Sequence, residues 1–81
     1  MKFQSVFTDG ERLVVEFTSG EELVMECENL LSEGGEIIEV SLNEEEGTSD
    51  HIIVEELHED GALWEVSYSV EDILQIYQDV A

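Results

Sequence analysis

Cys27, His51 and His58 are the side chains of this chain that could serve as nucleophile, proton shuttle or soft-metal ligand. Their placement argues against all three. Cys27 falls on the inward side of an alternating apolar run, where a thiol is an inert small hydrophobe. His51 and His58 are seven residues apart and face opposite sides of a regular strand, a separation no common zinc site uses. No serine, histidine and aspartate are arranged around a nucleophile elbow, and no glycine-rich loop opens a helix to cradle phosphate.

Carboxylates are the abundant functional group. The chain has 22 acids against two basic residues, Lys2 and Arg12, for a formal net charge of −20 over 81 residues. With so many acids, pairs at glycosidase-like separation arise by chance and do not identify an active site. The stretch NEEEGTSD at 43–50 is dense in hard oxygen ligands, yet it lacks the alternating Asp/Asn positions and central glycine of a calcium loop. The expectation is therefore a protein that is not an enzyme and holds neither metal nor cofactor.

The elements that must position these acids follow from the punctuation. DG at 9–10, TSG at 18–20, GG at 34–35, NEEEGTS at 43–49 and EDG at 59–61 separate short β-branched runs. Those runs predict strands near 2–8, 11–17, 21–27, 36–42, 51–58 and 62–68. For the second hairpin, a three-residue loop ending in Gly20 sets Val15 opposite Leu23 and Leu13 opposite Met25 on one face. The other face then pairs Arg12 with Glu26, Val14 with Val24 and Glu16 with Glu22. In the first hairpin a two-residue turn at Asp9-Gly10 would set Phe7 opposite Arg12 and not Leu13, whereas the pattern puts Phe3, Ser5 and Phe7 on the core face, so a longer loop or a bulge is predicted there.

SVEDILQIYQDVA predicts a helix capped by Ser69, with Glu71 and Asp72 at the positive end of its dipole. Val70, Ile73, Leu74, Tyr77 and Ala81 make one apolar stripe, expected on the sheet face of Val15, Leu23, Met25, Trp64 and Val66. Trp64, Tyr68 and Tyr77 are read as core packing in preference to a ligand-stacking platform. ENLLSE at 28–33 predicts a short helical turn. The fold class is α+β: one domain over 1–81, an antiparallel meander of five to six strands, and a C-terminal amphipathic helix packed on one face.

The apolar fraction of 42% is too high for a disordered acidic tail and predicts a folded globule. Its surface, roughly 5,000 Å² by size scaling, spreads the net charge at one per ~250 Å². That mean spacing exceeds the ~8 Å screening length, but Glu44, Glu45 and Glu46 are far closer, so stability should fall as salt is removed. One cysteine fits a reducing compartment, and no stretch has the apolar length of a signal or a spanning helix, so a cytoplasmic location is expected. The charge repels nucleic acid and anionic membrane, which makes a basic protein the expected partner.

Solubility needs a net charge of only about 2 to 8 in a small domain. Halophilic adaptation would supply the rest, though the acids are mostly glutamate and concentrate at 44–60. Nucleic-acid mimicry accounts for that concentration. Two adjacent strands bearing Glu16, Glu22 and Glu26 approach one charge per ~3.4 Å, the axial density of one DNA strand. In size, missing basic residues, β-rich pattern and the acidic stretch NEEEGTSDHIIVEELHED, the chain resembles small acidic counter-defence proteins of phages and mobile elements, of the anti-CRISPR and anti-restriction type. The resemblance implies an inhibitor that occupies the DNA site of a nuclease, a glycosylase or a CRISPR effector, whose motif-reading arginines would meet these carboxylates.

Expected partner-binding residues are Glu44, Glu45, Glu46, Asp50, Glu55, Glu56, Glu59 and Asp60 along that stretch, with Glu16, Glu22 and Glu26 on the sheet. Val14 and Val24, apolar among those acids, are expected as a protein contact or a homodimer seam. An immunity or adaptor protein for a basic toxin or enzyme is the alternative from a different class.

Overall fold

The computed structural model describes residues 1–30, 35–43 and 49–80. Among the described residues it is α+β, with six strands and one α-helix. β1 (Phe3–Asp9), β2 (Arg12–Phe17) and β3 (Glu22–Glu26) form one antiparallel sheet in that order. A 3₁₀ turn, Cys27–Asn29, follows β3 and overlaps the expected helical turn of 28–33 only at its start, residues 31–33 lying outside the described residues. β4 (Gly35–Leu42), β5 (His51–His58) and β6 (Leu63–Ser69) form a second antiparallel sheet, and α1 (Val70–Val80) ends the described chain.

The strands therefore do not make the single meander the sequence predicts. β3 and β4 do not pair, and β4 lies instead near β1. A three-stranded sheet with one apolar face must bury that face against another layer, and a second sheet does it here. Phe3, Leu13, Val15, Phe17, Leu23 and Met25 of the first sheet meet Ile52 and Val54 of the second in one core, which Leu30, Val70 and Ile73 complete. Phe3 and Phe17 stack at 5.6 Å between ring centroids. The backbone of Phe3 also exchanges hydrogen bonds with Ser49, at 2.8 and 3.2 Å, tying β1 to the start of the second sheet.

The β2–β3 register is as predicted residue by residue, from Arg12 opposite Glu26 to Glu16 opposite Glu22. The same turn chemistry recurs at the β5–β6 hairpin. Phe17 N–H donates to Glu21 and Gly20 N–H to Phe17; His58 N–H donates to Ala62 and Gly61 N–H to His58, all at 2.9 Å. Gly20 and Gly61 have φ of +91° and +84°, a region glycine enters without steric cost. Each three-residue loop sets its hairpin's register.

The first hairpin departs from expectation in a specific way. Asp9 pairs with Arg12 across a two-residue turn, so Phe7 faces Val14 on the outer side, and Phe7 is 48% exposed. The anticipated bulge exists but lies at the other end of β1, between Phe3 and Ser5, where it returns Phe3 to the core.

Helix α1 begins as predicted. Ser69 N–H donates to the Asp72 carboxylate at 3.0 Å and Asp72 N–H donates to Ser69 Oγ at 3.1 Å, a reciprocal capping box. Of the described stripe residues Val70 and Ile73 are buried, Leu74 is partly buried and Tyr77 is exposed; Ala81 lies outside the described residues, and α1 packs against β6. Tyr68 matches the core-packing reading, half-buried with its hydroxyl donating to Leu30 O at 2.9 Å. Trp64 does not, because its end of β6 extends past the core and leaves it 53% exposed over the His58 ring.

The cap yields a prediction. The Ser69 backbone N–H, and then its side chain, hold the Asp72 carboxyl below the ordinary carboxylate range. A depressed folded pKa stabilises above the unfolded value and is lost as pH falls through the folded one. The stability gap between wild type and Asp72→Asn, measured by urea unfolding, should be open at pH 7 and close below about pH 4. Ser69→Ala should cost about 1 kcal/mol at neutral pH.

Candidate functional site: the outer carboxylate rows

On a strand, neighbouring acids point to opposite faces, so the register decides which of them reach solvent. In the second sheet Ile52, Val54, Glu56 and His58 share the inner face of β5. Glu55 faces outward, directly between Glu39 of β4 and Glu65 of β6. Directly opposed Cα atoms in antiparallel pairs are about 4.5–5.5 Å apart, so three carboxylates cross the sheet at steps of about 5 Å. Like charges in that position destabilise the pairing. Among the described residues, the lysine or arginine ion pair found is Arg12 with Glu26 on the other sheet, 3.4 Å apart and largely exposed.

The outer face of the first sheet is built differently. Its register forms three rows across the strands: Ser5, Glu16 and Glu22; Phe7, Val14 and Val24; Asp9, Arg12 and Glu26. Glu16 and Glu22 are adjacent, as predicted. Glu26 lies two rows away beyond the apolar row and pairs with Arg12. The continuous acid run expected from Glu16, Glu22 and Glu26 is thus interrupted. Val24 is 41% exposed, whereas Val14, between Phe7 and Val24, is only 7% exposed and is not part of the central core.

Of the residues expected from the acidic stretch, Asp50, Glu59 and Asp60 are exposed. The Asp50 carbonyl accepts from Val70 N–H at 3.2 Å, and the Asp60 carboxylate accepts from Ala62 N–H at 3.0 Å within the β5–β6 turn. Glu44, Glu45 and Glu46 lie outside the described residues. Ser49 joins the flanks of that segment, its hydroxyl donating to Asn43 O and accepting from His51 N–H.

Glu56 is a correction. It is 1% exposed, turned inward by the same alternation that turns Glu55 out, and its Oε1 lies 3.1 Å from His58 Nε2. Gly35, opposite His58, makes room for the pair: a Cβ there would stand 3.1 Å from His58 Cε1 and 3.2 Å from Glu56 Oε1. This buried carboxylate is a packing element of the second sheet and not a surface anion. It adds to burial in raising the Tyr68 pKa, with Asp72 contributing less.

Glu39 and Glu65 are the members of the row that the sequence reading missed. Each is a single acid inside an apolar run, in IIEV and LWEVS, the signature of an outward position on a strand with one buried face. Their alignment with Glu55 depends on the β4 register, which shifts at an irregularity between Ile37 and Glu39.

Other chemistry finds little support. Cys27 borders a cleft of about 340 Å³ that Glu11, Glu26, Glu28 and Glu36 also line. Burial, then Glu26 and Glu11, push its thiol pKa up, which disfavours the reactive thiolate. Among the described residues no group of three His, Cys, Asp or Glu is placed to hold a metal ion, and no helix is long and apolar enough to cross a membrane.

The charged row gives a second prediction. Glu55→Gln removes two like-charge contacts at once and should raise stability at low salt by a few tenths of a kcal/mol per pair. The gain should vanish near 1 M salt, where the screening length is about 3 Å; thermal unfolding with and without salt measures it. Compared with protein-family models, curated protein sequences and solved structures, the chain matches none.

Proposed function

We propose that this protein is a non-catalytic inhibitor that presents carboxylates in a nucleic-acid-like array to the DNA-binding site of a basic DNA-processing or defence enzyme. The observation that carries the reading is the Glu39, Glu55 and Glu65 row: three directly neighbouring acids on a sheet face, maintained against their mutual repulsion. At about 5 Å per charge the row approaches the 3.4 Å axial spacing of phosphates along one DNA strand. It is displayed on hydrogen-bonded strands, so the array is fixed before a partner arrives. A groove of arginines and lysines that tracks phosphates would meet anions already in line, and long-range attraction would speed their encounter.

The test is capture of purified basic nucleases and DNA glycosylases on the immobilised chain at about 0.15 M salt, with duplex DNA as competitor. The expected result is a retained enzyme whose activity is lost, that DNA displaces, and whose binding weakens steeply between about 50 and 200 mM salt. Retention of no cationic enzyme, or of one that DNA does not displace, would overturn the reading. The second outcome would place the contact away from the partner's DNA site.

A further inference from the structure

The apolar row of the first sheet has its own geometry. Phe7 and Val24 are 48% and 41% exposed on either side of Val14. The row spans two interstrand steps, about 10 Å, and the acid-bearing rows lie about 6.7 Å to each side along the strands. One flank holds Glu16 and Glu22; the other holds Asp9 and Glu26, with Arg12 engaged by Glu26. An apolar centre with a charged rim is the layout of a protein-contact patch.

We infer that this face docks a basic amphipathic helix of the partner, laid along the row so that apolar side chains cover the exposed Phe7 and Val24, with the buried Val14 between them, while lysines or arginines on both flanks reach the two acid rows. The assignment rests on the reading of a basic protein partner and names the element that partner presents. Dimensions and charge both fit. Two helical turns cover about 11 Å, and a helix about 10–12 Å across sets its flanking side chains over rows roughly 13 Å apart. A second copy of the chain fits poorly, because two such faces would oppose acid to acid. The nine-residue patch, roughly 250 Å² from strand spacings, is also well short of the ~800 Å² per partner of a stable interface.

The probe is an 18-residue leucine–lysine peptide with leucines at helical i, i+3, i+4, i+7 spacing, against a control of the same composition with the leucines scrambled. The expected result is NMR shift changes centred on Phe7, Val14 and Val24, with binding weakened roughly tenfold by Phe7→Ala. Val24→Ser should act in the same direction and is a second variant on an exposed site. Equal binding of the scrambled peptide, shift changes confined to the Glu39, Glu55 and Glu65 row, or a dimer in sedimentation that Phe7→Ala dissociates would each overturn the assignment. If Phe7→Ala leaves peptide binding unchanged while a DNA-displaceable enzyme is still captured, the helix assignment fails and the polyanion reading stands. If the peptide docks here and no such enzyme is captured, the helix assignment stands alone.

Discussion

Phe3→Ala is expected to cost about 3–5 kcal/mol of folding stability, whereas Phe7→Ala, four residues along the same strand, should cost under about 1 kcal/mol. Phe3 is fully buried, stacks on Phe17 and belongs to the strand that bridges to Ser49, so its loss opens a cavity where the two sheets meet. A domain of this size has roughly 4–12 kcal/mol in total. That loss is a large fraction of the total, and at the lower end of the range it brings the Phe3 variant to its unfolding midpoint. Urea titration measures both variants, with the midpoint falling and the slope unchanged for Phe3→Ala. Equal costs at the two positions would contradict the bulge that separates their faces.

Replacing Glu39, Glu55 and Glu65 together by glutamine should stabilise the fold and abolish capture of the basic partner. The two effects have one origin. Glutamine keeps the length of the side chain and removes the charge, so the self-repulsion of the row disappears from the folded state. The attraction to a cationic groove disappears with it. Close charge pairs across an interface couple by about 1.5 kcal/mol or more each, so three lost together should weaken binding by roughly a thousandfold at physiological salt. The salt dependence of what remains should flatten. Glu71→Gln with Asp79→Asn, on the exposed side of α1, is the control that removes two charges elsewhere and should leave capture nearly intact. A triple variant that binds as tightly as wild type would move the recognition surface off the second sheet.

Much of the local structure was legible beforehand, because it depends on near neighbours in the chain. The Ser69 cap, the β2–β3 register and the three-residue loop at Gly20 each follow from side-chain chemistry within a few residues. Alternation alone was also sufficient to place Glu55 and Glu56 on opposite faces, and reading the whole acidic stretch as surface overlooked it. The error at Glu56 came from weighting charge above period, whereas burial beside His58 is possible because Gly35 leaves space there.

What the sequence by itself determined is the chemical character of the protein: an α+β globule with an extreme anionic charge, short strands, one of whose hairpins had a legible register, and one capped helix. Tertiary structure decided that Glu39, Glu55 and Glu65 stand together and that Glu56 does not join them. The split into two sheets, the bulge before Ser5 and the shift after Ile37 are settled by how two small apolar faces cover each other. A one-residue slip of β4 against β5 would turn Glu39 to the opposite face of the sheet. The three-residue loop at Gly61 sets Glu65 against Glu55, whereas burial of the shared core selects the β4 register that adds Glu39 to the line.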